Sequence, residues 1–155
     1  MTATADILDR YGDDARVCEL QLRSFGGRST FSGTIGTVRC HEDNVLLEAP
    51  ARRAGEGSVL VVDGGGSLRV AVVGDMIATL ARDSGWAGIV LNACVRDVGT
   101  LATIDLGIVA LGSTPRPSGK TGAGEVDVPV TFGNVTFRPG STLYADGDGV
   151  VVIDA

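Results

Sequence analysis

The sequence of 155 residues is poor in aromatics, at 5%, and holds one histidine, one lysine and three cysteines. So few aromatics beside 23 glycines predict a core of Val, Ile, Leu and Ala joined by many tight turns. Cys18, Cys40 and Cys94 are odd in number and widely spaced, with no C-x-x-C pair. Neither a disulfide scaffold nor a zinc site is therefore expected. No run approaches the roughly 18 apolar residues that a membrane helix needs. The opening MTATADILDRYGDD has no basic segment followed by an apolar one, which predicts no secretory signal and a cytoplasmic protein. No basic stripe offsets the net charge of −6. That disfavours nucleic acid, because phosphate binding draws on clustered Lys and Arg. An acidic surface suits a basic protein segment, or merely solubility.

What is present describes a folded chain. Hydrophobic residues make up 44% and charged residues 21%, and the length predicts one domain over 1–155, long enough to bury a core. The pattern predicts a helix at 4–11 ended by Gly12, a Gly-rich loop at 25–33, a strand at 34–40 and a helix at 44–55. Buried strands follow at 58–64 and 68–74. In the next helix, 75–84, Ile77, Leu80 and Ala81 share an apolar face and Gly85 stops the helix. Further on come a buried strand at 86–95, a short helix within 99–107 with Thr100 as a cap, a strand at 108–115 and a mobile loop at 116–125. From 126 onward the chain reads as β structure with Gly-Asn, Pro-Gly and Gly-Asp-Gly turns. The sum is an α/β domain with a layered central sheet and flanking helices.

The segment LVVDGGGSLRVAVVGD, residues 60–75, begins like a nucleotide site, an apolar strand running into glycines. A dinucleotide fingerprint needs G-x-G-x-x-G opening a helix. Here Arg69 stands three residues after Gly66, and a predicted strand follows. Gly119-Lys120-Thr121 spells the end of a P-loop, but no apolar strand precedes it and no glycine stands five residues before Gly119. The three glycines therefore read as a tight turn.

More informative is the point where the helix 75–84 begins after Gly74. Its first backbone N–H groups lack helical partners and attract anions such as a carboxylate. Arg96 and Asp97 end the following strand, where ligands of open α/β sheets collect. There an arginine can clamp a substrate carboxylate and an aspartate can ligate a hard cation. Two plainer readings stand beside these: Asp75 as a simple N-cap, and Arg96-Asp97 as a solvated pair.

Taken together, these stretches resemble the RraA-like proteins and 4-hydroxy-4-methyl-2-oxoglutarate aldolases. The resemblance covers nearly the whole chain, including FGGRSTFSG, DNVLLE, VLVVDGGGSLRVAVVGDMIATLARDSGWAGIV, IDLGIVALGSTPRPSGKTGAGEVDVPVTFGNVTFRPG and LYADGDGVVVID. Within it, Asp75 and Arg96-Asp97 match the D-x20-R-D spacing of the aldolase members. The resemblance implies a swivelling β/β/α fold assembled as a homotrimer. It also implies a pyruvate aldolase dependent on a divalent metal cation, Mg²⁺ or Mn²⁺, with secondary oxaloacetate decarboxylase activity. Asp97 takes the part of the metal ligand and Arg96 that of the catalytic substrate contact. The backbone of Gly74, Asp75, Met76 and Ile77 corresponds to the segment that receives the carboxylate of a small 2-oxo acid, and Asp75 is the candidate proton donor. The chain departs from other members at Ala93, often glycine, and at Thr100, where some carry an acidic residue.

The physical chemistry agrees with this reading. C–C cleavage leaves a pyruvate enolate, so positive charge must stand where that oxygen turns negative. The single lysine, Lys120, lies in the Gly-rich loop, which disfavours a Schiff-base aldolase. The competing readings are a regulator that binds and inhibits an RNase E-type ribonuclease, and a demethylmenaquinone methyltransferase, which the glycine pattern disfavours. His41 reads as a surface residue, Cys94 as core, and Asp146-Gly147-Asp148-Gly149 as a hairpin turn rather than a calcium loop.

Overall fold

The computed structural model describes residues 1–154. Among them are four α-helices, α1 (Thr4–Tyr11), α2 (Glu48–Arg52), α3 (Asp75–Asp83) and α4 (Val98–Leu101). The strands are β1 (Ala15–Val17), β2 (Arg23–Ser24), β3 (Phe31–Arg39), β4 (Val59–Asp63), β5 (Ala71–Val73) and β6 (Gly88–Val95). They continue with β7 (Gly107–Ser113), β8 (Glu125–Val126), β9 (Val130–Phe132), β10 (Val135–Phe137), β11 (Thr142–Asp146) and β12 (Gly149–Ile153).

In β4 every residue from Val59 to Val62 is apolar and fully buried. Strand geometry sends alternate side chains to opposite faces, so this one run feeds two cores. Leu60 and Val62 join Ile89 and Leu91 of β6 beneath Leu47, Ala51, Ile77, Ala78 and Ala81. Val59 and Val61 face the other way, toward Val90, Val109 and the hairpin residues Val130, Phe132, Val135 and Phe137. The Phe132 and Phe137 rings stack with centroids 4.4 Å apart. A parallel sheet covered on both faces explains why its strands read as unbroken apolar runs rather than alternating ones. Each fully buried Val or Leu side chain contributes about 1.5–3 kcal/mol.

The fold is a mixed α/β one with a large central sheet and few helices. Its middle is parallel, in the order β3–β4–β6–β7. The antiparallel strands β11, β12 and β1 extend the sheet beyond β3. The short β5 pairs with the end of β6. The layers run helix, central sheet, then β hairpin. No helix among the described residues is long and apolar enough to cross a membrane.

Several expected elements are redrawn. The helix at 44–55 is a 3₁₀ turn, Val45–Leu47, followed by the five residues of α2, because Pro50 lacks the N–H that a longer helix would need. In α3 the apolar face is carried by Ile77, Ala78 and Ala81, with Leu80 half-buried. The second apolar run pairs only from Ala71, with Leu68 exposed and residues 69–70 in a bend. Phe31 is already in β3, which shortens the loop at 25–33. Thr100 does not cap α4; Asp97 occupies that position. The loop at 116–125, expected to be mobile, is tied down. The Ala71 N–H donates to Arg116 O at 2.8 Å and the Gly119 N–H to Glu42 O at 2.9 Å.

Candidate active site

Strands β5 and β6 end side by side, and the chain turns from each into a helix. The Arg96 N–H donates to Val73 O at 3.0 Å, which locks the two strand ends together one residue beyond their ladder. α3 begins at Asp75 and α4 at Val98, so two helix N-termini open at the carboxyl edge of the sheet, the customary ligand edge of open α/β sheets. Asp97 stands between β6 and α4 in the left-handed region, with φ 60° and ψ 38°. Aspartate is among the few non-glycine residues that tolerate this conformation.

That conformation accompanies a contact across the site. Asp97 Oδ2 accepts the Asp75 N–H at 3.1 Å. Asp75 is therefore not the N-cap: Gly74 holds that position, without a side-chain cap bond, and the capping carboxylate arrives from 22 residues away. Gly74 is needed for space rather than for its dihedral angles. A Cβ there would meet Asp97 Oδ2 at 2.6 Å and Arg96 Cγ at 3.4 Å. Helix geometry leaves the Met76 and Ile77 amides also without intrahelical acceptors. Ile77 buries its side chain in the core while Met76 is 70% exposed, so Ile77 offers the site its backbone alone.

These groups share a cleft of about 80 Å³, lined by Gly74, Asp75, Met76, Ile77, Arg96 and Asp97, and also by Asn44 and Lys120. The cleft is small, and its lining of helix amides beside Arg96 suits a small acid. Asn44 donates from Nδ2 to Val72 O at 3.1 Å and accepts from Lys120 Nζ. Beside it Asp43, 3% exposed, pins the loop that carries Lys120. Its carboxylate accepts the Thr121 hydroxyl at 2.9 Å, the Gly122 N–H at 3.1 Å, the Val45 N–H at 3.2 Å and the Thr121 N–H. Burial opposes ionisation of Asp43, yet these donors outweigh it and hold its carboxyl below the usual range.

Residues 2–152 match the RraA-like family, described as Aldolase/RraA. The chain belongs to the RraA-like family. A solved structure named as an S-adenosylmethionine:2-dimethylmenaquinone methyltransferase from Geobacillus kaustophilus is 44% identical, with a TM-score of 0.97 over 99% of this chain and 95% of that one. The RNA-processing inhibitor RraA from a Thermus species is 42% identical, with a TM-score of 0.95 over 99% and 93%. RraAS2 from Streptomyces coelicolor, described as an unusual member of the RNase ES inhibitor RraA family, is 27% identical, with a TM-score of 0.79 over 97% and 78%.

In this RraA-like chain the three glycines have no amide to spare for a phosphate. The N–H groups of Gly64 and Gly66 both donate to Asn92 O at 3.1 Å, and that of Gly65 donates to Asp63 Oδ1 at 2.9 Å. Gly65 and Gly66 take φ of 72° and 75°, the left-handed turn that glycine adopts without cost. Asn92 closes the turn by donating to Asp63 Oδ1 at 3.0 Å. Ala93 lies beneath it, where a Cβ on Gly64 would meet the Ala93 methyl at 2.7 Å. In the G-K-T stretch, the Thr121 amide and hydroxyl are taken by Asp43.

Whether a divalent cation suits the cleft follows from its donors. Among the described residues no group of three or more His, Cys, Asp or Glu converges, so the protein cannot cage a metal as structural zinc sites do. Asp97 offers a carboxylate, with Asp75 beside it. One or two carboxylates, with water and substrate completing an all-oxygen shell, is the manner in which Mg²⁺ is bound. The donor set fits Mg²⁺ or Mn²⁺ through Asp97.

The site residues expected from sequence all line one cleft. Sequence reading assigned no site role to Asn44 or Asp43, and it put Lys120 in the Gly-rich loop without showing that this loop lines the cleft. The signal was available: four polar residues in a row, His41-Glu42-Asp43-Asn44, stand between Cys40 and Val45. Lys120 is exposed and bonded to Asn44, without the desolvated apolar pocket that activates Schiff-base lysines.

Proposed function

We propose that this protein is a divalent-metal-dependent carbon–carbon lyase that cleaves 4-hydroxy-4-methyl-2-oxoglutarate to pyruvate and also decarboxylates oxaloacetate. The observation that carries the reading is the convergence of Arg96, Asp97 and the N-terminal amides of α3 on one small cleft. The amides of Met76 and Ile77 receive the carboxylate next to the 2-oxo group, helped by the positive end of the helix dipole. Arg96 donates to the 2-oxo oxygen and stabilises the negative charge that grows there as the C3–C4 bond breaks. The C4 hydroxyl gives up its proton as it becomes a carbonyl, and C3 of the departing enolate takes one up; Asp75 is the carboxylate placed to carry that proton. A cation on Asp97, when bound, supplies Lewis-acid polarisation of the 2-oxo group. The homotrimer belongs to the same proposal. Met76 and Val98, exposed at 70% and 42% beside the cleft, are apolar side chains that a neighbouring copy would cover, and a monomer mass by light scattering would remove it.

The test is pyruvate release from both acids, with Mg²⁺ and after EDTA. Turnover is expected to require the metal and to vanish in Asp97→Ala. Arg96→Ala is expected to fall by at least about a hundredfold, the loss seen on removing one oxyanion donor. No turnover on either substrate would sink the lyase and favour a second reading, a regulator that binds a ribonuclease. That reading draws on the inhibitor named at 42% identity and on the net charge of −6. A pull-down with an arginine-rich ribonuclease segment at low and high salt tests it.

A further inference from the structure

We infer that Asp43 is a positioning residue of the cleft, fixing from outside it the wall opposite the start of α3 and so setting how tightly the substrate is held. This role rests on the lyase reading above. Asn44 lines the cleft and Asp43 does not, so Asp43 acts only through the groups it holds.

The wall is formed by Pro117, Ser118 and Lys120 and hangs between two anchors. At its start the Ala71 N–H donates to Arg116 O at 2.8 Å, and Ala71 and Pro117 form a parallel bridge. At its end the anchor is the segment around Asp43. The Gly119 N–H donates to Glu42 O at 2.9 Å. The Thr121 hydroxyl donates to the Asp43 carboxylate at 2.9 Å and the Gly122 N–H at 3.1 Å, joined by the Thr121 N–H. The same carboxylate accepts the Val45 N–H at 3.2 Å, beside Asn44 in the chain. One side chain thus ties the loop to the segment that carries Asn44.

The chemistry of this clamp is demanding. No ion pair among the described residues includes Asp43. Burying a charge without a counter-ion is costly, and here four hydrogen bonds, two on each oxygen, offset it. Every partner is a donor, so the set uses the acceptor positions of an ionised carboxylate. A carboxamide of the same shape would turn its N–H₂ toward two of those donors. A buried polar group with every bond made holds its surroundings to one geometry, and here that geometry is the position of the wall.

The groups proposed to meet developing charge stand elsewhere, at the end of β6 and the start of α3. They are fixed by their own bonds, from the Arg96 N–H to Val73 O and from the Asp75 N–H to Asp97 Oδ2. Loosening the wall therefore weakens ground state and transition state alike, which raises KM and spares kcat.

Pyruvate release from 4-hydroxy-4-methyl-2-oxoglutarate with saturating Mg²⁺, measured well below every melting temperature, compares Asp43→Asn, Thr121→Val and Thr121→Ser with the wild type. Asp43→Asn is expected to raise KM by about tenfold, the scale of re-ordering one or two side chains on binding. Its kcat should stay within about twofold and its Mg²⁺ affinity should not change. Thr121→Val loses only the hydroxyl bond and should raise KM by about threefold, whereas Thr121→Ser keeps that bond and should match the wild type. Hydrogen exchange reads the clamp directly, and the Thr121 and Gly122 amides should exchange at least about tenfold faster in Asp43→Asn. An unchanged KM while these amides exchange freely overturns the inference. So does a joint loss of kcat and Mg²⁺ affinity, the mark of a site that collapses as a whole. If Asp43→Asn does not fold, the two Thr121 variants decide by the same criteria. A wild type without turnover removes the lyase, whereas normal turnover with an unmoved KM in the variants removes this inference alone.

Discussion

Asp97 caps the helix that Asp75 opens, through a hydrogen bond of 3.1 Å from the Asp75 N–H to Asp97 Oδ2. The proposed metal ligand and the proposed carboxylate-binding amides are thereby parts of one unit. Asp97 reaches the helix because its own backbone is left-handed and because Gly74 leaves the approach open. A change at any of the three is transmitted to the other two.

Substitution at Gly74 tests the approach. A methyl group there would fall 2.6 Å from Asp97 Oδ2, so Gly74→Ala must displace the carboxylate. Pyruvate release is expected to drop by about a hundredfold, the scale of a 1 Å misplacement of reacting groups. Because the displaced carboxylate no longer caps α3, the melting temperature should also fall, by about 2–4 °C, which corresponds to a lost cap of about 1 kcal/mol. Wild-type turnover in Gly74→Ala would mean that the Asp97 position is not critical.

At Asp97 the structural and chemical roles separate. Asparagine retains an acceptor for the Asp75 N–H and tolerates the left-handed backbone, so Asp97→Asn should melt like the wild type while losing metal and turnover. Asp97→Ala loses the cap and gains backbone strain, together about 2 kcal/mol, or about 4–8 °C in melting temperature at this chain length. Calorimetric melting beside a Mg²⁺ titration reads both. Equal melting of the two variants would show that the cap contributes nothing.

Asp43 sets an acid limit. Its carboxyl is held below the usual range in the fold, while in the unfolded chain it titrates near its ordinary value of about 3.9. A lowered folded value gives stability that is complete above that unfolded value and is lost as pH falls through the folded one. Asp43→Asn should melt below the wild type at pH 7, and the gap should narrow as pH falls below about 4. A gap that stays constant with pH would assign the loss to shape rather than to charge.

The β4 run Val59–Val62 and the helix 75–84 were legible because local pattern carried them: uninterrupted apolar residues and a helical apolar face. The D-x20-R-D spacing was legible only through the resemblance to the aldolase members. The helix expected at 44–55 was not, because Pro50 and tertiary packing outweighed a favourable composition. Nor was the fixed loop at 116–125. Glycine, serine and lysine in a row read as mobile until a buried carboxylate from 78 residues away is seen to clamp them.

By itself the sequence determined the buried strands, the start of α3 and the identity of the charged groups at the strand ends, since each follows from neighbours along the chain. Tertiary structure alone decided that Asp97 rather than Asp75 caps α3, that the three glycines spend their amides on Asn92 and Asp63, and that Lys120 stands in the cleft. The physical reason is the same in each case. A hydrogen-bond donor takes whichever acceptor the fold brings to about 3 Å, and sequence separation does not record that distance.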